Sequence, residues 1–278
     1  MATIHSGSYG ESRLRMLRVL RRGDRHDPKD LTIALRFEGS FESMVPGEAI
    51  KNLVHRVVRE QDYGAAAIES LGLAICEQIL RRHPGIGLAR VELTEQPWAR
   101  LDAGGKAQGQ AFTPAGFELR TASVSSNGTR VSVAAGLENL VLMRTGGFAP
   151  TDRDEAADEP TADGLQRLFV ATLAARWSYV GGDIPFAPYR AGIRQALVET
   201  FAWHKGPTVL QTLHAVAEVV LANYQEISQV VLSVQERPYR PVDLLELAID
   251  VDALFIAHDE PLGVVEITVG RTDVPPAG

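Results

Sequence analysis

Apolar and polar residues alternate along Leu31-Thr32-Ile33-Ala34-Leu35-Arg36-Phe37 with the period of two that gives a strand one buried face. A second apolar-rich run, Leu14–Leu20, precedes it across a Gly-Asp-Arg-His turn region, so Leu14–Leu20 and Leu31–Phe41 are expected to form a long hairpin. The period then lengthens. A helix is expected around Ile50–Glu60 and a longer one around Ala65–Arg82, closed by His83-Pro84-Gly85, with a strand over Leu88–Leu93. Further on, Gly116–Val124 and Thr129–Ala134 read as a hairpin over the turn signal Ser126-Asn127-Gly128, and Leu137–Arg144 continues the sheet. Helices around Tyr189–Trp203 and Val209–Asn223, a strand over Val230–Val234 and a last strand over Gly263–Val269 complete the pattern. Thr151–Asp163 is acidic and nearly devoid of apolar residues, which predicts a solvated loop, and Thr272–Gly278 reads as a disordered tail.

The chain also contains part of itself twice. Ala74–Trp98 (AICEQILRRHPGIGLARVELTEQPW) reappears 141 positions later as Ala215–Tyr239 (AVAEVVLANYQEISQVVLSVQERPY), without a gap. Glu77 falls on Glu218, Leu80 on Leu221, Ile86 on Ile227, Glu95 on Glu236 and Pro97 on Pro238. A duplication near half the chain length implies two similar modules, taken here as residues 1–110 and 111–278. Each would carry two hairpin strands, two helices and two more strands. Antiparallel sheets with helices on one face make an α+β architecture. Because one module would leave long sheet edges open, pairing of modules and assembly into a closed barrel are expected.

Composition narrows the function classes. The net charge of −7 argues against nonspecific nucleic-acid binding, which needs an excess of Lys and Arg. The single cysteine, Cys76, excludes an intrachain disulfide and a Cys-rich zinc site, and on its helix it reads as core. His5, His55, His83, His204, His214 and His258 lack metal-ligand spacing, so no metal is expected. There is neither a phosphate-cradling glycine loop nor a Gly-x-Ser-x-Gly motif. No apolar run approaches about 18 residues, and the N-terminus has no apolar core, which together lead us to expect a cytoplasmic protein away from membranes.

Several stretches resemble the urate oxidase (uricase) family in order and spacing. They are Tyr9-Gly10 followed by SRLRMLRVLRRGDRHDPKDLTIALRFEG, Lys51-Asn52, IESLGLAICEQILRRHPGIGLARVELTEQPWARL, GLENLVLMRTGGF, RDEAADEP, ARWSY, LVETFA, VLQTLHAVAEVVL and DEPLGVVEITVGR. The resemblance implies tandem tunnelling-fold modules and a homotetramer of stacked barrels with active sites at subunit interfaces. It further implies oxidation of urate by O2 with no cofactor.

The chain departs from that family where the chemistry resides. The family's lysine after Tyr-Gly is Glu11 here, and its threonine-aspartate pair before Lys-Asn reads Gly47 and Glu48. Its Asn-Lys-His motif reads Glu236-Arg237-Pro238, and the glutamine after Val209 that holds the purine edge reads Leu210. Two ligand-binding positions persist: Phe148, which would stack on a ring, and Arg167, which would donate a fork of hydrogen bonds. Each also has a structural explanation, loop packing for Phe148 and a surface ion pair for Arg167. Glu95 and Glu236, repeated at equivalent positions, are expected to answer to the fold first.

General acids and bases contribute roughly 10² to 10⁴-fold each and must reach the ligand. Glu11 would repel a urate anion, Pro238 cannot titrate, and Leu210 would leave a polar ring edge unpaired at about 1–3 kcal/mol. Ordinary urate oxidation is therefore not expected. The favoured expectation is a repurposed cofactor-independent oxidase on a purine-like or other heteroaromatic ligand, with O2, using Glu11, Glu48 and Glu236 as acid–base groups and Phe148, Arg167, Val209 and Leu210 as ligand contacts. The alternatives are a noncatalytic homologue that binds a ligand or assembles, with a paralogous uricase-like subunit as a partner, and residual urate oxidation.

Overall fold

The alternating run at Leu31–Phe37 lies in the second of two 15-residue strands, β1 (Ser8–Arg22) and β2 (Arg25–Gly39), in a computed structural model. The structure describes residues 7–39, 44–61, 67–145, 168–181, 184–204, 208–241, 254–257 and 263–271. The strands pair antiparallel up to Arg22↔Arg25, and Gly23 makes the turn in the left-handed region at φ 58. Leu31, Ile33, Leu35 and Phe37 face inward and are buried, each worth about 1.5–3 kcal/mol of removed apolar surface.

Helix α1 (Gly47–Glu60) buries Ile50, Leu53, Val54, Val57 and Val58, a stripe at the helical spacing. Helix α2 (Ile68–Arg82) buries Ile68, Leu71, Ile75 and Ile79, and its Gly72 allows close approach to the sheet. A Cβ there would lie 2.6 Å from Val124 Cγ2. The helix stops at His83, whose N–H donates to Ile79 O just before Pro84. Strand β3 (Ile86–Gln96) follows, then a small hairpin of β4 (Trp98–Ala103) and β5 (Lys106–Pro114), and strands β6 (Leu119–Ser126) and β7 (Val131–Arg144). Arg100 fastens the small hairpin to the start of β2. It donates to Gly109 O at 2.8 Å, pairs with Asp27 and lies over the Phe112 ring.

The remaining elements are β8 (Phe169–Tyr179), α3 (Phe186–Trp203), α4 (Val209–Asn223), β9 (Ile227–Arg237), β10 (Tyr239–Pro241), β11 (Phe255–Ala257) and β12 (Val264–Gly270). The chain forms two compact units, Met1–Glu138 with Trp177–Arg190, and Asn139–Arg176 with Ala191–Gly278. In the first, the strand order is β1-β2-β3-β6-β7, antiparallel throughout, with α1 and α2 packed on it. In the second, the order is β8-β9-β12, with α4 packed on β9 and β12. Arg271 closes the end of α4, donating to Ile227 O at 2.8 Å and Tyr224 O at 3.0 Å.

The duplication is visible residue for residue. Helix α2 spans 68–82 and α4 spans 209–223; strand β3 spans 86–96 and β9 spans 227–237, so every end is displaced by 141. By element order, β7-β8-α3-α4-β9-β12 repeats β1-β2-α1-α2-β3-β6, with a two-stranded hairpin before each last strand.

Three differences from the sequence expectations have physical reasons. Strand β8 was not anticipated: Phe169, Val170 and Ala171 are buried in succession, and although burial alternates from Thr172 to Tyr179, Ala174 on the wetter face blurs that alternation in the sequence. The β4–β5 hairpin was also missed, although Gly104 and Gly105, at φ 64 and 71, supply the tight turn that such a hairpin favours. Finally, β7 is one strand from Val131 to Arg144, with Asn139 in the left-handed region at φ 59, where the pattern suggested two runs. The expected loop 151–163 and tail 272–278 lie outside the described residues.

Candidate functional site

Glu11 sits on β1 beside a bulge between Glu11 and Leu14, with Arg13 in the left-handed region at φ 60. A left-handed residue recurs on β7. Gly10-Glu11-Ser12-Arg13-Leu14 is matched by Gly136-Leu137-Glu138-Asn139-Leu140, and Arg13 and Asn139 share their positive φ. The left-handed residue is thus a property of the repeated strand. The side chain beside it is not, because Leu137 at the matching position is buried and apolar while Glu11 is a half-buried carboxylate.

The chain then approaches α1 past Tyr9, whose ring packs edge-on against Phe37 and whose hydroxyl accepts from Val45 N–H at 3.4 Å. Helix α1 opens after Pro46 without a side-chain cap. Glu11 lies there instead. Its Oε2 is 3.6 Å from Lys51 Nζ, with the two side chains 25% and 37% exposed. A Cβ built on Gly47 would come closer to Glu11 Oε1 than the 3.0 Å that real Cβ atoms respect. The carboxylate therefore occupies the space a side chain at position 47 would need, at the end of the helix where negative charge is favoured. Glu48, in the first turn, points to solvent. The first unit thus brings Glu11 together with Gly47 and Lys51.

Val209, Leu210 and Glu236 belong to the second unit. Val209 and Leu210 open α4, capped by Thr208, whose Oγ1 accepts from Gln211 N–H at 3.0 Å. Val209 is half-buried, whereas Leu210 is 48% exposed. Glu236 lies near the end of β9, half-buried, with its N–H donating to Gly263 O at 3.3 Å. Arg237 beside it donates to Thr172 Oγ1 at 2.9 Å. Phe148 and Arg167 lie outside the described residues.

Two polar clusters in the first unit have structural roles. Glu95 is buried between Lys29 Nζ at 2.8 Å and Arg120 Nη1 at 3.4 Å. Deeper still, Glu69 of α2 is fully buried and bonds Arg190 Nη2 at 2.6 Å; Arg190 also donates to Gly136 O at 2.6 Å and Thr121 O at 2.9 Å. The Tyr179 hydroxyl lies 3.4 Å from Glu69, and burial, reinforced by the Glu69 charge, pushes the phenol well above its usual range. Sequence reasoning missed this cluster because Glu69 interrupts an otherwise apolar helix face, and one polar residue there carries no periodic signal.

Cys76 is core as expected. Burial pushes its thiol up to about 12, which removes it as a nucleophile. Among the described residues no group of three His, Cys, Asp or Glu side chains stands together to hold a metal, and no helix is long and apolar enough to cross a membrane.

Residues 133–266 match the uricase family model. The chain is 25% identical to the uricase of Arthrobacter globiformis over 277 residues, covering 95% of this chain and 88% of that one. It is also 25% identical to the uricase of Danio rerio over 281 residues, covering 95% and 93%. Among solved structures, the uricase from Arthrobacter globiformis superposes with a TM-score of 0.87 at 23% identity, covering 100% of this chain and 98% of that one. The urate oxidase from Bacillus sp. TB-90 gives 0.76 at 14% identity, covering 95% and 100%. These superpositions show the tunnelling fold. Residues 133–266 thus match the uricase family model, in a chain that aligns with uricases over nearly its whole length and shares their fold.

Proposed function

We propose that this uricase-like protein acts as a cofactor-independent oxidase on a purine-like or other heteroaromatic substrate, and that ordinary urate oxidation is not its reaction. The observation that carries the reading is the Glu11–Gly47–Lys51 arrangement. A carboxylate held at the start of α1 stands where the family resemblance leads one to expect a lysine, and it fills the space of the expected threonine. Two electrons and two protons would leave the ring, and O2 would leave as H2O2. The proton acceptors available to this chain are the carboxylates of Glu11, whose charge the Lys51 ammonium stabilises, Glu48 and Glu236. Phe148, Arg167, Val209 and Leu210 would contact the ring, with the residues of neighbouring subunits completing each site in a homotetramer.

A second reading is a noncatalytic homologue. It draws support from the same pair, because Lys51 already neutralises Glu11, and from Leu210, whose exposed apolar surface suits an assembly contact. Oxygen consumption and ultraviolet absorbance, followed over a panel of heteroaromatic rings, separate the two. Ring loss with matching O2 uptake supports the oxidase, and binding without O2 uptake for every ring would replace it with the noncatalytic reading.

A further inference from the structure

Glu69, Trp177 and Arg190 bring together three elements of the first unit, α2, β8 and α3, and all three are almost wholly buried, at 0%, 0% and 8% exposure. The repeated fold does not call for a charge there. At the 141-residue offset Ile68 answers to Val209 and Glu69 to Leu210, the apolar start of α4. The buried carboxylate therefore belongs to the first copy alone.

The polar atoms of this cluster can be accounted for one by one. Arg190 donates from Nη1 to Gly136 O at 2.6 Å, and from Nη2 to Glu69 Oε1 at 2.6 Å and Thr121 O at 2.9 Å. Glu69 Oε1 also accepts from the Tyr179 hydroxyl at 3.4 Å. Three buried atoms are left over. Glu69 Oε2, Arg190 Nε and Trp177 Nε1 meet no hydrogen-bond partner among the described residues. Arg190 Cζ lies 5.6 Å from the centre of the Trp177 ring, so the leftover atoms belong to one cluster. Turning the guanidinium does not remove the mismatch. It is a rigid fork held at both Nη atoms by carbonyls on β6 and β7, and bringing Nε onto Oε2 would break those bonds and still leave the indole N–H unpaired. Against the upward push of burial on the Tyr179 phenol, the Trp177 N–H acts in the lowering direction, but it stays outside hydrogen-bond geometry.

We propose that the Glu69–Trp177–Arg190 cluster is a binding site for one water molecule, held as a structural part of the first unit. Two of the leftover atoms donate and one accepts. A water accepts from Trp177 Nε1 and Arg190 Nε and donates to Glu69 Oε2, which makes about three bonds, the usual number for a buried water. An anion would face the Glu69 charge, and a cation would face two N–H donors. A neutral molecule that both gives and takes fits the set. It completes the link among α2, β8 and α3.

A high-resolution crystal structure of the full-length protein tests the site without any variant. One fully occupied solvent peak within hydrogen-bond reach of all three atoms is expected. A direct Arg190 Nε–Glu69 Oε2 bond, a Trp177 N–H bonded to the Tyr179 hydroxyl, or side chains closing the space would overturn the assignment. Glu69→Gln tests the chemistry, because it keeps the shape and turns the Oε2 acceptor into an N–H donor. Three donors and the uncompensated charge of Arg190 then converge, so crystals of this variant soaked in bromide should show an anomalous bromide peak at the site, with none in the unaltered protein. A bromide peak in the unaltered protein would show an anion site and overturn the neutral occupant.

Discussion

The Glu11 carboxylate and the missing side chain of Gly47 define each other, because Glu11 Oε1 lies where a Cβ at position 47 would have to go. Glu11 is a flexible, partly exposed side chain that can swing aside, so Gly47→Ala should displace the carboxylate from Lys51 and offset the roughly 0.5–1 kcal/mol by which alanine favours a helix over glycine. With Glu11→Ala present, the same change should stabilise by about 0.5–1 kcal/mol, because alanine is the better helix former. Urea denaturation of the four proteins of this cycle measures the coupling. Additive effects would show that the two positions do not share the space.

Glu69 and Arg190 form the most deeply buried ion pair described, joining α2 to the start of α3 and to the carbonyls of Thr121 and Gly136. Removing one partner should cost about 3–5 kcal/mol, because it strands the other charge without solvent. Replacing both, as in Glu69→Met with Arg190→Met, should cost less than either single change. Thermal unfolding of the three variants tests this, and a double variant as unstable as the sum of the singles would contradict it.

The buried thiol of Cys76 gives stability a pH signature. Its folded value is raised from 9.0 to about 12 by burial. In the unfolded chain the thiol ionises near 9.0, so the contribution is complete below that pH and is lost as pH rises from 9 towards 12, at about 1.4 kcal/mol per pH unit. Tyr179, shifted in the same direction, adds to the loss above pH 10. Urea midpoints at pH 8.0, 9.5 and 10.5 should fall steadily, and Cys76→Ala should flatten the first part of that fall. An unchanged slope in the variant would assign the loss elsewhere.

Much of this fold is legible where one face of an element is buried and the other is wet. The period of Val209–Asn223 matches α4 end to end, and the 141-residue offset found in the sequence is reproduced by the ends of four elements. Legibility fails where apolar residues fill both faces, as at the opening of β8, and where a strand runs on past a left-handed residue, as in β7 at Asn139. For the candidate site, the resemblance leads one to expect Glu11 and Gly47 at site positions, but only the coordinates reveal that one fills the space of the other and that Lys51 pairs with its charge. The contrast between Glu95 and Glu236 is likewise invisible in their shared Glu-x-Pro-aromatic motif. It arises from Arg120 and Gly263, residues brought opposite them by strand pairing from 25 and 27 positions away.

The central claim is that the Glu11-bearing site has left urate oxidation. Oxygen uptake by the purified protein in saturating urate, with the fall in urate absorbance recorded alongside, addresses it most directly. We predict no uptake above the uncatalysed rate. Sustained O2 consumption matched one to one by urate loss would contradict the account, and would mean that a carboxylate beside Lys51 can serve the chemistry expected of a lysine.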